Sequence, residues 1–559
     1  MTDGPRATSP RARLRTRLQG VRWGRLVALG LLALAVSLVF GLTTASVRLG
    51  LGPHEARYDV TTDDTITLDV GPLGTLQIDS PLPLTLGARV TVKEIPADVR
   101  AVDPVRTLAA LSGDLQGYVQ FFSGPEATIA DATRALVTNA LLRTGGAFVL
   151  LVVAGVGSSA LLGPTRRSEL ATALAPHRRA VIGGGLLAVA VVVTTVSSVA
   201  PSELRQTGRP ASSVFDGTPL EGARITGRLA GVIDTYGGQV VEAYQASQAF
   251  YEAADDALVA AWEERAEGTR ARVAAQERLL VQPDDGSTPT ETADVVEPVV
   301  MVLVSDLHCN VGMAPLIRSL AELSGAQLVL DAGDTTVNGT AVEQYCATTF
   351  ARAVPEGATM VAANGNHDST QTAAQQRRAG VVVLDGEVVT VAGVRILGDS
   401  DPNETRVGGG TRLGGEETVA EVGERLAETA CDDGDVDVLL THLPRVGDAA
   451  LESGCVPVQL AGHTHRQSGP APVGEGLRLV SGSTAGATAG APTVGPLRGT
   501  AHLTVLRFDP AERRFVDHQP VAVRPDGSVA IGYPVPFPRP EPAEAPGTGD
   551  GGTRPNLTR

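Results

Sequence analysis

The run Val299-Val300-Met301-Val302-Leu303-Val304, followed at once by Ser305-Asp306-Leu307-His308, decides how this chain folds. Consecutive apolar, mostly β-branched residues read as a strand buried on both faces, as in the sheets of layered α/β folds. The carboxylate and imidazole that follow fall at the strand's C-terminal end, where such folds build their sites. Gln327 to Leu330 repeats the pattern before Gly333-Asp334, and Thr359 to Ala363 repeats it before Gly365-Asn366-His367-Asp368. Val438 to Leu440 leads into Thr441-His442, and Val458 to Leu460 leads into Gly462-His463-Thr464-His465. Each strand end carries ligand-type residues, with glycines where the backbone must turn tightly.

The chain holds 9 histidines, and only His54, His177, His502 and His518 lie outside these motifs. Imidazole, carboxylate and one amide in this arrangement suit a pair of hard-to-borderline divalent metals. Taken singly, each motif also has a plain structural reading. His442 would be a polar strand-end residue, His463 and His465 a solvent-facing pair, and Asp368 a loop cap. The ordered recurrence of the set favours the metal reading.

In order, D-x-H, G-D, G-N-H-D, a lone H and G-H-x-H resemble the metallophosphoesterase family, the calcineurin-like phosphoesterases. The resemblance covers roughly residues 297–525. It implies a mixed α/β fold, a two-sheet β-sandwich flanked by helices with the metals at one sheet edge. It also implies two divalent ions, Mn²⁺, Zn²⁺ or Fe²⁺. Asp306, His308 and His465 would hold one, and Asn366, His442 and His463 the other, with Asp334 between them. A hydroxide shared by the metals would attack phosphorus, since bound metal lowers the pKa of water. His367 would face the scissile phosphate as a proton donor or transition-state stabiliser, with Asp368 orienting its ring. Asp334 is followed by Thr335, Thr336 and Val337, so the metal-bound tyrosine of purple acid phosphatases is missing. Asp368 stands where Ser/Thr protein phosphatases carry Glu. Gly398-Asp399-Ser400-Asp401-Pro402 follows an expected hairpin at Val391 to Ile396; it reads equally as a loop near the site and as an ordinary Asp/Pro turn. A late hairpin, Ala501 to Arg507 and Arg514 to Val521, would close the second sheet.

At 559 residues and a net charge of −16, the chain exceeds one ordinary core and offers no basic stripe for nucleic acid. Residues 1–25 are Arg-rich and are expected to be a basic cytoplasmic N-terminus. Leu26 to Val47, Gly145 to Gly163 and Ala180 to Ala200 are uncharged apolar runs of spanning length. The first is longer than the roughly 7–15 apolar residues of a cleaved signal peptide. The Arg-bearing loop 164–179 is expected in the cytoplasm, which places the small β-rich domain 51–143 and everything after Pro201 outside the membrane. Gln239 to Val281 reads as a long amphipathic helix, a stalk or a helix packed on the catalytic domain, within a 202–297 stalk and linker, ahead of a catalytic domain at 298–530 and a disordered tail at 536–559. Outside the cell the four cysteines can oxidise, and Cys309–Cys346 with Cys431–Cys455 is the favoured of three pairings. The function expected is a membrane-anchored phosphoesterase acting on phosphate mono- or diesters, lipid-linked or envelope-derived. The other reading is a receptor or scaffold that uses a phosphoesterase-like domain for binding.

Overall fold

The computed structural model describes residues 23–93, 125–174, 209–210, 222–280 and 297–538, apart from short breaks at 52–53, 72–73, 84, 228, 341–342, 408, 489–492 and 494. The chain divides into two compact units at Glu242–Ala243.

In the first unit, helix α1 (Trp23–Thr43) leads into a seven-stranded sheet of β1 (Ser46–Leu51), β2 (His54–Thr61), β3 (Thr65–Asp69), β4 (Thr75–Asp79), β5 (Gly87–Val92), β6 (Arg209–Pro210) and β7 (Arg224–Ile225), in the order β1-β2-β5-β3-β4-β7-β6. The apolar run expected to span to Val47 therefore leaves the helix earlier. Ser46 and Val47 pair with Asp59 and Tyr58 of the sheet instead. Helix α2 (Pro125–Leu174) joins the expected helical pattern at 127–142 and the second apolar run into one element. It is interrupted at Gly163 (φ 61°, ψ 169°), immediately before Pro164, whose ring blocks a continuous helix. Gly41 of α1 lies directly against Ala140 and Thr144 of α2, the small-residue contact that lets apolar helices approach closely. Leu29, Leu31, Leu141, Leu142 and Leu150 stay exposed around them. Among the described residues one helix, Thr128–Glu169, is long and apolar enough to cross a membrane, while Leu29–Thr43 is a shorter apolar helix. The third expected span, 180–200, lies outside the described residues, as do residues 281–296 of the linker and 539–559 of the tail.

The second unit opens with the C-terminal part of α3 (Leu229–Leu280), which starts ten residues before the helix expected from Gln239. Tyr251, Ala254 and Leu258 of this helix join the core beneath the next sheet. Tyr251 Oη donates at 2.9 Å to Asn310 Oδ1, and its ring covers Gly312.

Two facing sheets form the centre of this unit. One holds parallel strands β8 (Val299–Val304), β9 (Leu328–Asp331), β10 (Thr359–Ala362) and β11 (Val382–Val383). Antiparallel β20 (Ala501–Asp509), β21 (Arg514–Val523), β22 (Val529–Ile531) and β23 (Val535–Pro536) complete it. The other runs β12-β13-β16-β17-β19-β18, with β12 (Val389–Val391), β13 (Val394–Gly398), β16 (Val438–Leu440), β17 (Val458–Ala461), β18 (Ser468–Val473) and β19 (Gly476–Val480). A hairpin of β14 (Asn403–Arg406) and β15 (Gly410–Leu413) leaves this sheet after β13.

The two-residue period of a strand explains the apolar runs. Met301 and Leu303 face Ile396, Leu440 and Leu460 between the sheets, whereas Val302 and Val304 face helix α4 (Met313–Ser324) and α5 (Gln344–Arg352). Leu397 and Leu439 face away on the other side, against α7 (Val419–Asp433), which follows α6 (Thr370–Arg378), and α8 (Asp448–Glu452). The order is helix, sheet, sheet, helix. The structure pairs Cys309 with Cys346, tying the turn after β8 to α5, and Cys431 with Cys455 across the α7 and α8 layer.

Phe508 sits between the sheets at the end of the domain away from the motifs, in edge contact with Phe515. Phe508→Ala is expected to cost about 3–5 kcal/mol of stability. Thr418→Ala, which removes the capping box with Glu421 at the start of α7, should cost about 1 kcal/mol. Denaturant unfolding of the full chain checks the ranking, and equal losses would refute the between-sheet placement of Phe508.

Candidate metal centre

Every expected ligand lies at the C-terminal end of a parallel strand or in the loop that follows it. β8 delivers Asp306 and His308, β9 delivers Asp334, and β10 delivers Asn366 and His367. From the facing sheet β16 delivers His442, and β17 delivers His463 and His465. The backbone there departs from ordinary conformations. Asp306 (φ 52°), His308 (φ 40°), Asp334 (φ 60°), His463 (φ 69°) and His465 (φ 56°) are all left-handed, each at a cost of about 1–3 kcal/mol. A Cβ on Gly365 would fall on Asp334, and one on Gly462 would strike the Ser305 side chain, so these loops need glycine to approach.

The side chains form two clusters joined by one carboxylate. In the first, His308 Nε2 lies 3.1 Å from His465 Nε2, and His465 Nε2 lies 3.2 Å from Asp306 Oδ1. In the second, His463 Nδ1 lies 3.0 Å from Asn366 Oδ1 and 3.2 Å from His442 Nε2. Asp334 Oδ2 sits between them, 3.2 Å from His442 Nε2 and 3.8 Å from His308 Nε2. Asp306 and His442 are fully buried, whereas His463 is exposed, so the cluster opens to solvent on the His463 side.

These atoms fit cations. His442 Nδ1 lies 2.7 Å from the Ala332 carbonyl, which can only accept, so this nitrogen carries a hydrogen and Nε2 is the one turned into the site. Two carboxylates and facing ring nitrogens gathered in a buried space are costly unless positive charge joins them. Asp306 divides its oxygens accordingly. Oδ2 accepts from Ser305 Oγ at 2.7 Å and the His463 backbone N–H at 3.1 Å, while buried Oδ1 has no hydrogen bond of good geometry. Asp334 Oδ1 accepts from the His367 N–H at 2.8 Å and leaves Oδ2 for the site. Burial opposes ionisation of Asp334, but the His442 and His308 imidazoles outweigh it and hold the carboxyl well below the usual carboxylate range. Burial likewise opposes charge on His442, yet Asp334, followed by Asp306 and Asp401, pushes its pKa up to about 10. The field at this point favours a cation.

His367 and Asp368 are arranged differently from one another. His367 Nδ1 lies 2.7 Å from the Val337 carbonyl, so that nitrogen donates and Nε2 is the one left for a substrate. Asp368 was expected to orient this ring. Its oxygens instead accept from the backbone N–H groups of Thr335, Thr336 and Gly365 and from Thr336 Oγ1, at 2.9–3.2 Å. It clamps the loop after β9 to the loop after β10, because four nearby donors outcompete one imidazole. Burial, then Asp334, raises the Asp368 carboxyl, and burial beside Asp368 pushes Asp331 up to about 7.

The β14–β15 hairpin supplies partners that carry no sequence motif. Thr405 Oγ1 accepts from Asn366 Nδ2 at 2.6 Å, which turns Asn366 Oδ1 toward His463. Arg406 donates to the carbonyls of Asn366, His367 and Asp368. Asp401, in the loop the sequence left open, brings a carboxylate oxygen within 4.8 Å of the His442 and His463 ring nitrogens.

Thr405→Val removes the acceptor that holds the Asn366 amide. The full chain carrying it is expected to bind divalent metal about 10-fold more weakly, with Thr405→Ser near wild type. Metal titration checks both, and unchanged binding by the valine variant would show that Thr405 does not set the amide.

No curated protein matches the chain. Solved structures that resemble it include an archaeal phosphodiesterase at 13% identity and a TM-score of 0.26, covering 40% of this chain and 99% of that one. A dimetal phosphatase from Danio rerio matches at 10% identity and 0.25, over 42% of this chain and 99% of its own. Haemophilus influenzae NAD nucleotidase matches at 15% and 0.26, over 43% of this chain and 50% of its own. At these values the likenesses carry no weight for function. The family model described as calcineurin-like phosphoesterase matches residues 300–467, the segment that holds every expected ligand from Asp306 to His465. Over residues 300–467 the chain therefore carries a domain of the calcineurin-like phosphoesterase family, a family of metal-dependent phosphoester hydrolases.

Proposed function

We propose that this chain is a membrane-anchored phosphoesterase that hydrolyses phosphate mono- or diesters outside the membrane. Asp306, His308 and His465 would hold one divalent ion, Asn366, His442 and His463 a second, and Asp334 would serve both. The observation that carries this reading is the place of Asp334 Oδ2, between His442 Nε2 at 3.2 Å and His308 Nε2 at 3.8 Å. When bound, two divalent ions supply Lewis acidity to a phosphoryl oxygen and lower the pKa of water to near neutrality.

The chain's own residues do the rest. Asp306 and Asp334 each keep one oxygen tied to the scaffold and one turned into the site, so the anionic groups need no reorganisation when substrate arrives. The Val337 carbonyl fixes the His367 ring and its tautomer. A protonated Nε2 on that ring can give its proton to the departing alkoxide of an ester. Arg406 and Asp368 hold the loop that carries His367 through bonds to its backbone.

The membrane placement draws on the apolar helix Thr128–Glu169, the Arg residues at 166 and 167 near its C-terminal end, and two disulfides in the phosphoesterase domain, which persist in oxidising compartments. Enzyme and substrate on one membrane face favours a lipid-linked or envelope-derived ester.

With Mn²⁺ or Zn²⁺, the full chain in detergent should turn over members of a phosphomonoester and phosphodiester panel. Asp334→Asn should abolish turnover. His367→Ala should retain metal and lower kcat by about 10²–10⁴-fold. Metal bound without turnover of any ester would favour a binding role over catalysis, and loss of metal in the His367 variant would contradict its assigned part. Separately, an alkaline phosphatase reporter fused at residue 290 should be active, and activity of a cytoplasm-dependent reporter there would invert the topology.

A further inference from the structure

Three adjacent parallel strands of the second sheet, β13, β16 and β17, end at one edge. The last two deliver His442 and His463. The first delivers Asp401, three residues beyond Gly398. Its carboxylate oxygen and the two ring nitrogens all lie within 4.8 Å of one another, a triangle of the size that donors around one cation span. The loop is fixed in place, since the Asp401 N–H donates at 2.8 Å to the Asn364 carbonyl, two residues before Asn366.

The division of the Asp401 oxygens is telling. Oδ1 accepts from the Asn403 backbone N–H at 2.8 Å and from Asn403 Nδ2 at 3.1 Å, which closes a turn. Oδ2 is buried and has no hydrogen-bond partner. A buried carboxylate oxygen without a donor is destabilising. Asp306 shows the same pattern, with Oδ2 tied to Ser305 and His463 and buried Oδ1 without a hydrogen bond of good geometry. Two oxygens of this kind, one beside each histidine pair, have a single explanation if each faces a cation.

We propose that Asp401 is a metal-holding residue of the second position, and that its Oδ2 completes the group formed by Asn366, His442 and His463. This rests on the two-metal reading above. Without Asp401 the second position has neutral donors and only a share of Asp334. With it, each position has one carboxylate of its own and Asp334 in common, so charge is balanced evenly between two divalent ions.

The test is equilibrium titration of the full chain, stripped of metal and in detergent, with Mn²⁺ followed by electron paramagnetic resonance, and with metal content measured after desalting. Wild type should take two ions. Asp401→Asn keeps the acceptor for Asn403 and removes the charge; it should keep the first ion at wild-type affinity and bind the second about 10- to 100-fold more weakly. Asp401→Ser, whose hydroxyl can still accept from the Asn403 N–H, should behave alike, so a folding fault in one variant leaves the other. Asp399→Asn, in the same loop but paired with Arg425 at 2.8 Å, should leave both ions unchanged. Fewer than two ions in wild type would overturn the two-metal reading and this assignment with it. Two ions in wild type and unchanged affinities in both Asp401 variants would overturn the assignment of Asp401 alone.

Discussion

Asp306 and Asp334 are 0% and 2% exposed, yet both lie among imidazoles rather than opposite arginines. Buried carboxylates of this kind are unstable as isolated charges and demand a compensating cation. Much of the second unit is organised to bring them together. Two sheets, each with parallel strands at its centre, aim their C-terminal ends at one place, one contributing both carboxylates and the other most of the imidazoles. Neither sheet alone would assemble a complete set. The apolar interface between them, with Met301 and Leu303 against Leu440 and Leu460, sets the spacing across which the two halves meet.

The site is held by backbone as much as by side chains. Five expected ligands have left-handed backbone, a conformation that persists only where its surroundings over-determine it. Those surroundings are visible. The N–H groups of Asp306, His308 and Cys309 donate to the carbonyls of Gly333, Asp334 and Thr335, lacing the first two ligand loops together. Asp368 fastens the third loop to the second, and the Cys309–Cys346 disulfide ties the first loop to α5. Tyr251 packs against the same turn from behind. The strain is thus distributed into contacts that would all have to break together.

The strands and the motifs that carry the expected ligands were legible because both are local patterns. A doubly buried strand is mostly apolar, and imidazoles and carboxylates recurring in order at strand ends stand out whatever their neighbours. The partners of those ligands were less legible. Any residue has a carbonyl, so nothing marks Val337 as the acceptor for His367 or Ala332 as the acceptor for His442. Asp368 looked like the orienting group because it adjoins His367 in sequence, but its oxygens are taken by the Gly365 N–H of its own loop and by the Thr335 and Thr336 N–H groups that tertiary folding brings in. Thr405 and Arg406 act from a hairpin whose approach to Asn366 depends on long-range packing. Asp401 shared its local signature with an ordinary turn, and its free oxygen is evident only in three dimensions. In the first unit, hydropathy alone merged the end of α1 with the first strand, because Ser46 and Val47 suit either until β2 pairs with them.

Crystals of the Mn²⁺-loaded full chain, measured at the manganese absorption edge, test the two-metal account most directly. The account predicts two anomalous peaks about 3.5–4 Å apart, one among Asp306, His308 and His465 and one among Asn366, His442 and His463, with Asp334 touching both. A single peak, or two peaks that share no protein ligand, would contradict it.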